Sequence, residues 1–426
     1  MSFLFRYSVA DTPFSVPSNV TTDELCDLIN GLLKADGSDG DGRVAFDFLI
    51  GGTFLHSRLE EHMRQNDIST ETVVEIEYVE RSPTPEPEDS LLHDDWVSAV
   101  RAQGTCILTG CYDNTLKLWS TSGELLLTMP GHLGPVKCVT WVDSGDALPV
   151  RTFLSGSHDE TVLLWQWNQD TNAVECVHAC RGHAGSVDCL AVNPEHTRFC
   201  SGSWDTMLKI WSAVINSDED GQLEEHSEKP AKRKKMDGGT KIPTRVPTMT
   251  LSGHKEGISS AQWVGTNEVY TASWDHTIKM WDIEQATEKS CIAGTKVFFD
   301  IAYSPLNRML VAASADRHVR LYDPRTSDGA VVKCTFTSHT GWVSAVAWSP
   351  VDEHQFISGS YDSVLKQWDT RSPKAPLFDL TGHDDRILAV DWSIPQMVLS
   401  GGTDNHLKVF RVSNPAPKTK AAGRRR

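Results

Sequence analysis

Apolar and polar positions alternate over residues 3–9 (FLFRYSV), the period of a strand with one buried face. Residues 13–17 read as a second short strand, with Asp11-Thr12 suited to the turn between them. From Thr21 or Thr22 as an N-cap, Leu25, Leu28, Ile29, Leu32 and Leu33 recur at helical spacing until Asp36-Gly37 stops the run. Strand patterns return at 44–50, 53–56 and 73–79, so the sequence predicts a small α+β domain over residues 1–80.

A longer rhythm governs the rest. Gly110-Cys111-Tyr112-Asp113 with Trp119 is echoed by Gly156-Ser157-His158-Asp159 with Trp165, Gly202-Ser203-Trp204-Asp205 with Trp211, and Ala272-Ser273-Trp274-Asp275 with Trp281. Three more copies follow: Ala313-Ser314-Ala315-Asp316 with Tyr322, Gly359-Ser360-Tyr361-Asp362 with Trp368, and Gly401-Gly402-Thr403-Asp404 with Phe410. The aspartates stand 41 to 46 residues apart except for one interval of 70. Upstream of most copies lies a Gly-His or a close variant, supplying His132, His183, His254, His339 and His383. Repeats of this length are one supersecondary unit each, and stacking them buries a continuous core.

This pattern resembles the WD40 family, and the resemblance covers about residues 91–412. It implies an all-β seven-bladed propeller, closed by a strand drawn from about residues 86–95, so that no sheet edge stays open. The order of elements in residues 1–80 likewise resembles the ubiquitin-like β-grasp fold. Residues 81–90 (RSPTPEPEDS) carry three prolines and read as a semi-rigid linker that leaves the two domains free to reorient. The long interval holds residues 216–247, acidic at first and then basic, which read as a disordered loop between the third and fourth blades. A basic tail occupies 413–426.

Charge refines this picture. The net charge is −17, and residues 1–92 hold 18 acidic against 6 basic side chains, so most of the acidity belongs to the N-terminal segment. That segment would repel phosphates, which points to a basic protein or a bound cation as its partner. The ten cysteines are scattered without a CxxC pair and read as reduced core thiols of an intracellular protein. No apolar run is long enough for a membrane helix, and no secretory leader is read at the start, so no membrane partner is expected.

Abundant Ser, His and Asp invite a hydrolase reading. Repetition opposes it, because a reaction centre is needed once, whereas these residues recur in equivalent places. The expectation is structural: His132 with Asp159 and Trp165, His183 with Asp205 and Trp211, His254 with Asp275 and Trp281, His339 with Asp362 and Trp368, and His383 with Asp404. No catalytic residue and no cofactor are assigned. The acidic loop Asp36 to Gly42 lacks a full calcium ligand set, and no P-loop or HExxH helix is present. Lys232-Arg233-Lys234-Lys235 fits a nuclear localisation signal, and the tail is a candidate for contact with RNA. Trp368-Asp369-Thr370-Arg371 matches the short WDxR pattern of ubiquitin-ligase receptors, where a plain surface arginine is the competing reading.

The stretches Pro13 to Pro17, Phe46-Asp47-Phe48-Leu49-Ile50, Val74 to Glu80 and His93-Asp94-Asp95-Trp96-Val97 resemble the WD-repeat ribosome-biogenesis factors of the PeBoW complex. That resemblance implies an assembly factor of the large (60S) subunit, needed for maturation of 28S and 5.8S rRNA in the nucleolus and nucleoplasm. It also implies a propeller docked on the block-of-proliferation protein and pescadillo within pre-60S particles. The ubiquitin-like domain would engage the AAA ATPase midasin, with Glu71 supplying one carboxylate to a Mg²⁺ whose other ligands belong to the partner. Two alternatives stay open: a Notchless-like factor, which would carry eight repeats, and a substrate receptor of a cullin-based ubiquitin ligase.

Overall fold

The computed structural model describes residues 13–35, 43–55, 57–69, 73–143, 148–215, 242–325 and 332–412. In the N-terminal domain, helix Thr22–Ala35 opens on a capping box: the Glu24 N–H donates to Thr21 Oγ1 at 3.4 Å, and the Thr21 N–H donates to Glu24 Oε2 at 2.8 Å. Its Leu25 and Leu33 pack on Phe46, Phe48 and Ile50 of a three-stranded antiparallel sheet, ordered Thr53–Phe54, Phe46–Ile50, Glu77–Glu80. A second helix, Leu59–Gln65, was not read from the sequence; its Leu59 and Met63, four apart, close the same core.

Residues 13–17 form no strand, a correction explained by the prolines at both ends, which cannot donate to a ladder. Residues 3–9, the 36–42 loop and Glu71 lie outside the described residues.

The larger part is a seven-bladed β-propeller. Blade one runs from Val97–Gln103 to Leu125–Pro130, and each blade is built on four antiparallel strands whose innermost lines the axis. Blade seven takes three strands from Ile387–Ile394, Met397–Gly402 and His406–Arg411, and its fourth is Glu86–Leu92, paired antiparallel to His406–Arg411. The second half of the expected linker is therefore ring-closing strand; Leu91 is buried against Leu407 and Val409.

Two further expectations need correction. The long insert lies within blade three, between Leu208–Ser212 and the edge strand Met249–Leu251, and not between blades three and four. Its last residues are also ordered: Thr244–Arg245 adds a parallel fifth strand to blade two. The Arg245 guanidinium is buried there and donates to the carbonyls of Ser212 (2.8 Å) and Val214 (3.0 Å). A buried guanidinium must have its donors matched, which ties the return of the insert to the disc.

Nor do the two domains part cleanly. Gln355 of blade six donates through Nε2 to Ser82 Oγ at 2.5 Å, and a Cβ placed on Gly52 would lie 3.6 Å from the Arg371 carbonyl. Arg81 continues the sheet by donating its N–H to Ala45 O (2.9 Å) and holds Asp47 at 2.7 Å.

Candidate functional site on the face of the aspartate turns

Five blades share one polar network. In blade two, His132 joins Asp159 Oδ2 through Nδ1 at 2.9 Å and Ser155 Oγ through Nε2 at 2.7 Å, and the Trp165 indole N–H donates to the same Oγ at 2.8 Å. Blade three repeats it with His183, Asp205 (2.8 Å), Ser201 (2.7 Å) and Trp211 (2.8 Å). Blade four uses His254, Asp275 (2.8 Å), Thr271 (2.7 Å) and Trp281 (2.8 Å). Blade six uses His339, Asp362 (2.9 Å), Ser358 (2.7 Å) and Trp368 (2.8 Å). Blade seven has His383, Asp404 (2.9 Å) and Ser400 (2.8 Å), while Phe410 brings no indole donor.

The bond order copies a hydrolytic triad, but Ser155, Ser201, Ser358 and Ser400 are wholly buried and cannot meet a substrate. What the network does is fix loops. Asp159, Asp205 and Asp362 each accept the backbone N–H after their histidine at 2.8 to 3.0 Å, which clamps the connection between blades. Burial pushes each of these carboxyls up, but the histidine and backbone donors, joined by the Thr277 hydroxyl at Asp275 and the Thr161 hydroxyl at Asp159, outweigh it, so Asp205 and Asp275 end lowered to about 2 and Asp159 and Asp362 also end well below the usual range. Burial also lowers His254 and His383, against their aspartates.

Blades one and five solve the problem differently. His93, from the segment joining the closing strand to blade one, meets Thr109 Oγ1 at 2.9 Å, and burial drops it to about 4. In blade five, Arg320 grips both oxygens of Asp316, with Nη1 to Oδ1 at 3.0 Å. That blade is networked by an arginine in place of a histidine and tryptophan.

The clamped loops present the residue before each turn aspartate. The N–H of Tyr112, Trp204, Trp274 and Tyr361 each donates to a carbonyl at the entry of its own blade, at 2.8 to 3.0 Å, so their rings stand in equivalent positions around the axis. Trp204 lies 5.1 Å from Trp274, Trp274 lies 5.5 Å from Phe299, and Phe299 lies 5.9 Å from Trp342 and 6.4 Å from Tyr361. Across the axis Trp96 and Tyr112 form a pair at 5.2 Å. Gly257 permits the belt: a Cβ there would meet Trp204 Cδ2 at 3.0 Å. Trp96, Trp204 and Trp342 remain exposed by 43 to 49%.

Charge sits at defined points of the belt. Lys137 donates to Tyr112 Oη at 2.8 Å; burial would lower it, but Asp188 and Tyr112 leave the ammonium raised. Asp188 accepts the Trp204 indole N–H and the Ser186 hydroxyl, both at 2.6 Å. Arg386 lies 5.3 Å over the Tyr361 ring. Tyr112, Lys137, Asp188, Trp204, Trp274, Phe299 and Tyr361 line a cavity of about 500 Å³ enclosed by the innermost strands. An apolar, aromatic patch with a few oriented charges, on a scaffold that does not yield, is built for docking a macromolecule.

Other candidates fall elsewhere. Lys232, Arg233, Lys234 and Lys235, like Glu71 and the tail, lie outside the described residues. Arg371 is turned inward, with Nε to Asp369 Oδ1 at 2.9 Å and Nη2 to Oδ2 at 2.5 Å. Among the described residues no group of three or more His, Cys, Asp or Glu side chains is placed to hold a metal, and no helix is long and apolar enough to cross a membrane. The aromatic belt was missed from sequence, although Tyr112, Trp204, Trp274 and Tyr361 all stood inside the repeat signature; only ring closure makes them neighbours.

Comparison with known proteins agrees with both halves. The NLE (NUC135) domain matches residues 5–63, and the WD domain, G-beta repeat, matches seven segments between 87 and 411. The ribosome biogenesis protein WDR12 homolog of Ixodes scapularis is 54% identical over 408 residues, covering 95% of this chain and 96% of the tick protein. Its counterparts in Aedes aegypti and Drosophila virilis are 51% and 49% identical over 406 residues, covering 95% of this chain and 93% of each relative. With an NLE domain, seven WD repeats and near-complete alignment at about half identity, the chain belongs to the WDR12 family of ribosome biogenesis proteins.

Proposed function

We propose that this chain is a non-enzymatic assembly factor of the large ribosomal subunit, required for maturation of 28S and 5.8S rRNA and acting in the nucleolus and nucleoplasm. The observation that carries the reading is the aromatic belt from Trp204 to Tyr361 on a rigid propeller within this family. It is a protein-docking surface beneath which the network serines lie buried, and the block-of-proliferation protein, with pescadillo, is its partner in pre-60S particles. The N-terminal domain binds midasin through Glu71 and a Mg²⁺ held mainly by the partner. ATP-driven pull on that domain strips the complex from the particle, so this chain is the handle and not the motor. The basic tail is the candidate for direct RNA contact, and the 232–235 cluster for nuclear import.

The ubiquitin-ligase reading loses support because Arg371 is spent on Asp369. A Notchless-like factor would need an eighth blade, and the described residues form seven. Co-purification from nuclei tests the assignment. Recovery of pescadillo, the block-of-proliferation protein and large-subunit precursors is the expected outcome, and recovery of a cullin adaptor in their place would sink it.

A further inference from the structure

The seam between the domains holds a feature that the docking face does not use. Ser82-Pro83 and Thr84-Pro85 follow one another in the segment leaving the N-terminal sheet. This segment has no secondary structure until Glu86, and Thr84 is exposed. A proline after the hydroxyl residue fixes an extended backbone and removes an N–H that would otherwise need a partner in a binding cleft. Proline-directed protein kinases accept this dipeptide.

Ser82 is not an idle member of the pair. Its Oγ accepts a side-chain hydrogen bond from Gln355 Nε2 of blade six. Gln355 is 6% exposed, its Oε1 accepts from Gln367 Nε2 at 2.8 Å, and Gln367 is itself buried. The contact thus ends in a chain of amides that joins the two central strands of blade six. Beside it, Gln355 pairs across the sheet with Asp369, a carboxylate only 1% exposed.

We infer that Ser82 is a phosphorylation site for a proline-directed protein kinase, and that the phosphate releases the N-terminal domain from blade six. The kinase transfers the γ-phosphoryl group of MgATP. The bond from Ser82 Oγ to phosphorus forms as the bond to the β,γ-bridging oxygen breaks; the hydroxyl proton passes through the kinase's catalytic carboxylate to solvent, and ADP leaves.

A phosphoserine brings about −1.5 to −2 charges and three acceptor oxygens into a space fitted to one hydroxyl. Gln355 can offer it one amide group, already held on its other side. The two guanidinium groups at the seam are engaged, Arg81 by Asp47 and Arg371 by both oxygens of Asp369. Recruiting Arg371 would strand Asp369 as a buried unpaired carboxylate, which costs more than moving the domain out to water. Phosphorylation therefore opens the seam. The inference rests on the contact alone and not on the proposed partners of either domain.

The test uses the full chain carrying Thr84→Ala, so that one Ser-Pro hydroxyl remains in the segment, treated with a cyclin-dependent kinase and MgATP. Mass spectrometry should place phosphate on Ser82, and Ser82→Ala should abolish it. Amide hydrogen exchange across residues 45–52 and 370–372 should rise at least tenfold on phosphorylation. The rise should be matched without kinase by Gln355→Ala, and the radius of gyration should increase in both cases. Failure to modify Ser82, modified protein whose seam exchanges no faster, or a Gln355→Ala variant as protected as the parent would each overturn the inference.

Discussion

The Trp204 indole donates to the Asp188 carboxylate at 2.6 Å, across the inner edge of blade three. The bond holds a half-exposed indole upright where it can meet Trp274 and leaves Asp188 to face Lys137. A ring fixed in this way loses little freedom on binding, which is why aromatic anchors dominate interface energetics. Trp204→Ala should weaken binding of the block-of-proliferation protein by roughly 30-fold or more, about 2 kcal/mol. Calorimetric titration measures it, and the melting temperature should move little because the residue lies outside the blade cores.

Glu71→Ala should abolish Mg²⁺-dependent binding to the midasin adhesion-site domain while leaving propeller partners in place. Pull-downs with the full chain, with and without EDTA, read this directly. Affinity that is unchanged in the variant refutes the ligand role.

Blade five offers a test of substitution within the network. Arg320→Leu removes the grip on Asp316, a carboxyl that burial alone would raise and that Arg320 and Ser314 hold at about 2. The loss should cost about 2 kcal/mol, below the full penalty of a deeply buried pair because both side chains keep some solvent. Hydrogen exchange should quicken first in residues 310–322.

Acid should unfold the propeller in two windows. Histidines lowered by burial, His93 at about 4 with His254 and His383 also lowered, take up protons in the unfolded chain before the folded one. Stability therefore falls as pH drops from about 6.5 toward 4. Carboxyls at about 2, among them Asp205, Asp275 and Asp316, stabilise the fold above the ordinary carboxylate range and lose that contribution as pH falls from about 4 toward 2. Urea unfolding at pH 7, 5, 4 and 3 should show free energy declining at each step.

Replacing Lys232, Arg233, Lys234 and Lys235 with alanine should shift the protein toward the cytoplasm. Fluorescence imaging of the tagged variant checks this, and undisturbed nuclear accumulation would assign import to the tail or to a bound partner.

The repeats were legible because each blade writes the same local chemistry: a histidine, a turn aspartate and an indole that must satisfy one another inside the sheet. Helix Thr22–Ala35 was legible for the same reason, since Thr21 and Glu24 form its cap within four residues. Helix Leu59–Gln65 was not, because seven residues with two apolar positions carry too little period to separate from a loop. Arg320 escaped notice because an arginine on a strand reads as surface until Asp316 is seen beneath it. The belt escaped because its rings, Trp204, Trp274, Phe299, Trp342 and Tyr361, are separate letters 19 to 70 residues apart that only a closed circle brings together.

The strand that completes blade seven is made early and used late. Ser90 leaves the ribosome 318 residues before Lys408, which it meets across the last ladder. At about 5–20 residues per second this leaves an unpaired β-edge waiting for roughly 15 to 60 seconds during synthesis. The acidic character of Glu86, Glu88 and Asp89 keeps that edge from joining other nascent chains until its basic counterpart, Arg411, arrives to claim Glu88.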